Sequence, residues 1–212
     1  MADHDHDHPH DHDHTHDHDH THDHDHEHEH EHAEDQEELE REARRLLALS
    51  RIRQYGDTVL RMKAREVDSF DGDLERLVER MTALMHEANG VGLAATQVGV
   101  LRRLFVFVDG EEDRVIVNPV ITDSSKETEV DEEGCLSLRG VLVPVERAKR
   151  VTIEGVDSKG EPVRFELEVP ASRVVQHELD HLDGVLILDR TTEEARREAL
   201  AILRPRVIVN PG

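Results

Sequence analysis

Apolar residues recur at three- and four-residue spacing over some stretches of the chain and run continuously or in alternation over others, which separates predicted helices from predicted strands. Leu74, Leu77, Val78, Met81, Leu84, Met85 and Ala88 lie on one helical face and predict a helix over 73–89. Val174, Val175, Leu179 and Leu182 do the same for 171–182, with Pro170 just before the start and Gly184 as the stop. A third helix over 192–203 follows Thr191 to Glu194, which reads as a capping box. Strands are predicted at 104–108, 115–121, 151–156 and 163–169, the last two joined by the turn Asp157-Ser158-Lys159-Gly160. Strands clustered between helices give an α+β class: mixed strands packed around the central 171–182 helix, with a C-terminal helix. With four phenylalanines, one tyrosine and no tryptophan, the core must be built mainly from Val, Leu and Ile.

The first 33 residues break this pattern. Asp or Glu alternates with His almost without interruption, and 15 of the 18 histidines fall in this stretch. It has no apolar face to bury, so the expectation for residues 1–33 is a disordered tail whose imidazoles bind transition metals weakly, His4, His6, His8, His10, His12, His14, His16 and His18 among them. Residues 34–50, Glu-rich then Arg-rich with Leu39, Leu46, Leu47 and Leu49, predict a helical linker, and 51–212 a catalytic domain. Residues 1–40 hold 17 of the 49 acidic side chains and no Lys or Arg, leaving 32 acidic against 26 basic residues beyond, a net of −6. The formal charge of −23 therefore reports mostly the tail and argues against nucleic-acid binding.

The chemistry concentrates in three places. In Gln176-His177-Glu178-Leu179-Asp180-His181, a helix brings both imidazoles to one face with Glu178 beside them, an arrangement of two metal ligands and a general base. No histidine follows His181, so a peptidase-type third ligand further along the chain is lacking, and Glu193 and Glu194 are occupied by the predicted cap. The single cysteine, Cys135 in Glu132-Glu133-Gly134-Cys135-Leu136-Ser137, is either a small buried hydrophobe or the third ligand. A thiolate and two imidazoles would leave one coordination position open, as catalytic sites do. Gly90-Val91-Gly92-Leu93-Ala94-Ala95-Thr96-Gln97 leaves a helix and lacks the phosphate-binding lysine, so its glycines suit close approach of the backbone to a ligand, with Gln97 offering an amide donor.

Taken together and in this order, the three segments resemble the peptide deformylase family, with its Gly-x-Gly-Leu-Ala-Ala-x-Gln, Glu-Gly-Cys-Leu-Ser and His-Glu-x-Asp-His motifs, over roughly residues 50–205. Ile52 to Asp57 and Asn118-Pro119 extend the likeness. The resemblance implies Cys135, His177 and His181 as metal ligands and Glu178 as general base and acid. It implies Gln97 and the Leu136 N–H as donors to the formyl oxygen, and the Gly92 backbone as a substrate guide. It also implies an apolar pocket along Val91, Val174 and His177 for a methionine side chain. The activity implied is removal of the formyl group from the N-terminal formyl-methionine of nascent polypeptides at the ribosome, with release of formate. The ion implied is Fe2+, with zinc, nickel or cobalt able to substitute. Thr96 stands where many members have proline, and Val169-Pro170-Ala171-Ser172 replaces the usual glycine and leucine ahead of the metal helix, so the pocket shape is open to departure.

Two further classes remain in view from the residues. A peptidase would cut unformylated peptides, and a metal-buffering protein would depend on the tail and not on Glu178. One cysteine, no membrane-length apolar run and an acidic amino terminus give a cytoplasmic expectation. His86 beside its helix's apolar face needs no special role.

Overall fold

The computed structural model describes the backbone of residues 24–204 and the side chains of residues 36–204. His4 through His18, and with them the proposed tail metal sites, lie outside the described residues. The chain divides into a unit of residues 1–40 and one of residues 41–212; the second carries everything that follows. Its helices are α1 (His24–Ser50, which begins in the first unit), α2 (Gly72–Glu87), α3 (Ala171–Leu182), α4 (Ile187–Arg190) and α5 (Glu193–Leu203). Its strands are β1 (Gly92–Ala94), β2 (Leu104–Asp109), β3 (Glu112–Ser124), β4 (Thr128–Cys135), β5 (Leu138–Ala148), β6 (Arg150–Val156) and β7 (Pro162–Glu168).

Helix α1 starts well before the residue 34 at which the sequence pattern begins the linker. From Glu27 onward glutamate replaces aspartate as the acidic partner, and glutamate tolerates a helix interior where aspartate competes for the backbone. Helix α3 has the predicted limits, and Gly184 ends it at φ +74, where an added Cβ would meet the Arg61 carbonyl oxygen at 2.6 Å. Helix α5 is capped one residue later than predicted: the Thr192 hydroxyl, not Thr191, accepts from the Ala195 N–H at 3.2 Å, because Thr191 is spent ending α4.

Five strands form one antiparallel sheet in the order β1-β2-β3-β6-β7, and β4 and β5 pair as a separate hairpin. The interior position of β2, between β1 and β3, explains its apolar run. Successive side chains of a strand point to opposite faces: Leu104 and Val106 join the cluster of α2, with Leu74, Met81 and Met85, while Phe105 and Phe107 join that of α3, with Val175 and Leu182. The sheet thus carries a helix on each face. Phe107 meets the rings of Phe105 and Phe165 edge-on, with centroids 5.7 and 5.6 Å apart, so three of the four phenylalanines fill one layer. The β3 ladder breaks at Asn118, whose positive φ turns its amide onto the Val67 backbone in two reciprocal 2.8 Å hydrogen bonds.

A third cluster stands apart from these, where Leu138, Val141, Val143 and Val145 of β5 pack on Ile187, Leu188 and Ala199 of α4 and α5. Between β6 and β7 the predicted turn forms, with Asp157 Oδ1 accepting from the Lys159 and Glu161 N–H groups at 2.8 and 2.9 Å.

Because Phe105 is wholly buried under α3, Phe105→Ala is expected to lower stability by about 3–5 kcal/mol. Urea unfolding followed by circular dichroism checks this; an unchanged midpoint would mean that the α3 face of the sheet is not a single packed core.

Candidate metal centre

Helix α3 presents His177 and His181 one turn apart, their ring centroids 4.9 Å from each other. The end of β4 brings Cys135 to the same point, and the ligand atoms of Cys135, His177 and His181 all lie within 4.8 Å of one another. Cys135 Sγ is 3.2 Å from His181 Nε2, so the cysteine belongs to the polar cluster and is not a mere core filler. One soft sulfur and two imidazoles, held together and largely buried, fit a first-row transition metal with a position left over. Among the described residues this is the one group of three or more such side chains able to hold an ion.

Glu178 sits next to these ligands, buried, and its Oε2 has no hydrogen-bond partner. Burial pushes its carboxyl up to about 7, against the pull of the neighbouring His177. Its Oε1 explains Gly92: a Cβ there would come within 2.5 Å of that oxygen. The glycine-rich segment was expected to bring backbone close to a ligand; what its Gly92 admits is the Glu178 side chain, and Gly90 in the same way admits Leu136.

Gln97 lies on the 3-10 turn Ala95–Val98. Its Oε1 accepts from the Ala94 N–H at 2.8 Å, which turns its NH2 toward the cluster, where it donates to Ser137 Oγ at 3.2 Å and reaches Cys135 Sγ at 3.7 Å. The Ser137 N–H donates to the same sulfur at 3.4 Å. Leu136 is fixed between them, its carbonyl accepting from Gln54 Nε2 at 3.1 Å. Thr96 donates to the His181 carbonyl at 3.2 Å and lies outside the cleft, so the threonine in place of proline ties the Gln97 turn to α3 without touching the cleft wall. Of the other divergent stretch, Pro170 alone reaches that wall.

The cleft measures about 730 Å³ and takes in Val91, Gly92, Gln97, Cys135, Leu136, Val174, His177 and Glu178, so most residues singled out from the sequence share it; His181 is buried and does not line it. His86 stands elsewhere, on the surface, with Nε2 2.8 Å from Asp113 Oδ1.

Sequence reasoning missed the support behind the ligands. His177 Nδ1 is 3.1 Å from Glu133 Oε2, which directs its other nitrogen toward the cluster. Glu133 also accepts from Arg147 at 2.9 and 3.0 Å and from Arg173 at 2.9 Å. Arg147 continues to Asp180 at 2.6 Å, and Arg190 grips the same carboxylate at 2.6 and 3.0 Å. Burial alone would raise the Glu133 carboxyl, but the hydrogen bonds from His177 and Arg147 outweigh it and hold the group at about 2. Glu133 and Asp180 do stand inside the motifs; their arginines are scattered through the chain with no local mark.

The family model for polypeptide deformylase matches residues 49–197. This chain belongs to the polypeptide deformylase family. It is 48% identical over 146 residues to the peptide deformylase of Thermotoga sp. (strain RQ2), covering 69% of this chain and 89% of that protein. To the Clostridium botulinum peptide deformylase it is 47% identical, over 70% of this chain and 100% of the other. The crystal structure of the Thermotoga maritima peptide deformylase superposes with a TM-score of 0.66 at 48% identity, over 67% of this chain and 97% of that one. The Thermus thermophilus structure gives 0.68 at 46%, over 72% and 91%. As a deformylase the chain is a metalloenzyme that removes the N-formyl group of nascent polypeptides. No helix among the described residues is long and apolar enough to cross a membrane.

Gly92→Ala must displace the Glu178 carboxylate, and a misplacement of that size costs about 100-fold in turnover. Formate release measured beside a thermal melt checks this; full activity in a folded variant would mean that Glu178 has slack the geometry denies.

Proposed function

We propose that the chain performs this hydrolysis at a single ion held by Cys135, His177 and His181, with Glu178 moving the proton. The observation that carries the reading is the meeting of three donor atoms within 4.8 Å beside a buried, unpartnered Glu178 oxygen. When bound, the ion supplies Lewis-acid polarisation and lowers the pKa of water towards about 7. Gln97, its amide already oriented by Ala94, and the Leu136 N–H hold the formyl oxygen as it gains negative charge, donors worth about 3 kcal/mol each. Glu178 accepts a proton from the attacking water and returns it to the leaving amine, so that the C–N bond breaks to formate and a free amino terminus. Burial that weakens its acidity suits both halves of that transfer, since a base near neutrality gives the proton up again. The Gly92 backbone guides the peptide, and Val91, Val174 and His177 take the methionine side chain.

Ferrous iron is the ion we assign, with zinc, nickel or cobalt able to replace it, because thiolate and imidazole suit all four. Formylated chains emerging from the ribosome are the substrate, which puts the enzyme in the cytoplasm. His4 through His18 and the histidines after them bind further transition-metal ions; the support is their alternation with acidic residues.

Two measurements test this. Glu178→Gln is expected to lose nearly all formate release from formyl-Met-Ala-Ser while keeping one bound metal per chain, and chelation of the wild type to abolish release until Fe2+ or nickel is restored; a fully active Glu178→Gln protein would remove the role given to this residue. Nickel titration of the full chain should show several more bound ions than a chain lacking residues 3–32, and equal stoichiometry would end the tail reading.

A further inference from the structure

The family match begins at residue 49, yet the cleft is lined in part by two residues that precede it, Arg45 and Leu46 of α1, beside Leu49, the first residue of the match. Leu49 is accounted for by the core, where it packs with Ile52 and Leu74. Leu46 is not. It is 52% exposed and belongs to no buried cluster. Leu142, on the outer face of β5, lines the same cleft at 63% exposure, and Val91 does so at 59%. Exposed apolar side chains are ordinary when scattered singly, but three gathered at the mouth of one cleft mark a surface that receives something apolar. Arg45 lines the cleft beside them, its NH1 group bonded to Glu42 at 3.3 Å.

What occupies this rim follows from the site it continues. Only the formylated residue need reach Cys135, His177 and Glu178, and the rest of a polypeptide substrate must leave through the mouth. A cleft of about 730 Å³ has room for more than one residue. We propose that Leu46, with Leu142, grips the peptide residues downstream of the formylated one. The helix ahead of the family domain thereby becomes part of substrate selection, favouring apolar side chains over charged ones at the downstream positions. The inference rests on the deformylase reading above.

The test is the ratio of kcat/KM for formyl-Met-Leu-Phe amide to that for formyl-Met amide, measured on the full-length, metal-loaded protein. Leu46→Asp is expected to lower this ratio about five-fold, through KM of the longer peptide, as loss of one half-buried leucine contact implies. Leu46→Ala adds no charge and should move it the same way by less. Leu47→Asp is the control: Leu47 is 66% exposed on the same helix but outside the cleft, and its ratio should stay at the wild-type value. An unchanged ratio in Leu46→Asp, or an equal fall in Leu47→Asp, would overturn the proposal. Failure of the wild-type protein to release formate from either peptide would instead sink the deformylase reading on which it stands.

Discussion

A carboxylate with almost no water to solvate it joins the elements that make the site. Glu133 is 5% exposed, and it is tolerable there only because Arg147, Arg173 and His177 surround it with donors. Those partners come from β5 and α3, while Glu133 itself is on β4, two residues before Cys135. One set of hydrogen bonds therefore fixes the thiol strand relative to the imidazole helix. Were that register lost, the chain would keep its sheet and its three donors but not their meeting point. A buried ion network is weak evidence for stability, since hydrophobic replacements often do as well. Its evident use here is positional, holding His177 in one tautomer and orientation.

The sheet supplies the stiffness against which this network works. With α2 on one face and α3 on the other, β2 is buried from Leu104 to Phe107, and α3 cannot shift along the sheet without moving Phe105, Phe107, Val175 and Leu182 together. The Thr96 hydroxyl, bonded to the His181 carbonyl, and the Gln97 turn that follows β1 then bring the amide donor to the ligands from the opposite side. Sheet edge, hairpin and helix converge, and each is fixed by packing remote from the chemistry.

How much of this was readable in the chain depended on range. The α3 limits, the three motifs and the Asp157 turn are local patterns, written within a few residues, and they hold. The β4 strand was not readable, because Thr128–Cys135 is an exposed, acid-rich half of a hairpin with little apolar alternation to mark it. Its partner β5 does alternate in burial from Val141 to Val145, but Leu142 and Pro144 between the valines, and Gly140 and the charged residues flanking them, dilute the signal. The cap at Thr192 was missed by one residue because α4, a single turn, sits directly ahead of it and takes Thr191 for its own end. The arginine network was beyond reach for another reason: Arg147 and Asp180 are brought together only by folding, and neither sequence neighbourhood announces the other.

Helix α3 shows why local reading succeeded where it did. Its twelve residues divide their directions among distinct tasks: Val175 and Leu182 enter the core, His177 and His181 face Cys135, Glu178 fills the space left by Gly92, and Asp180 turns away to Arg147 and Arg190. Burial of four ionisable side chains on one short helix is costly unless each is paired or bound to metal. Three have that compensation from protein partners or from the ligand cluster. His181 Nδ1 and Glu178 Oε2 both lack a protein partner, but His181 meets Cys135 through its other nitrogen, whereas the open Glu178 oxygen is what the proposed proton transfer requires.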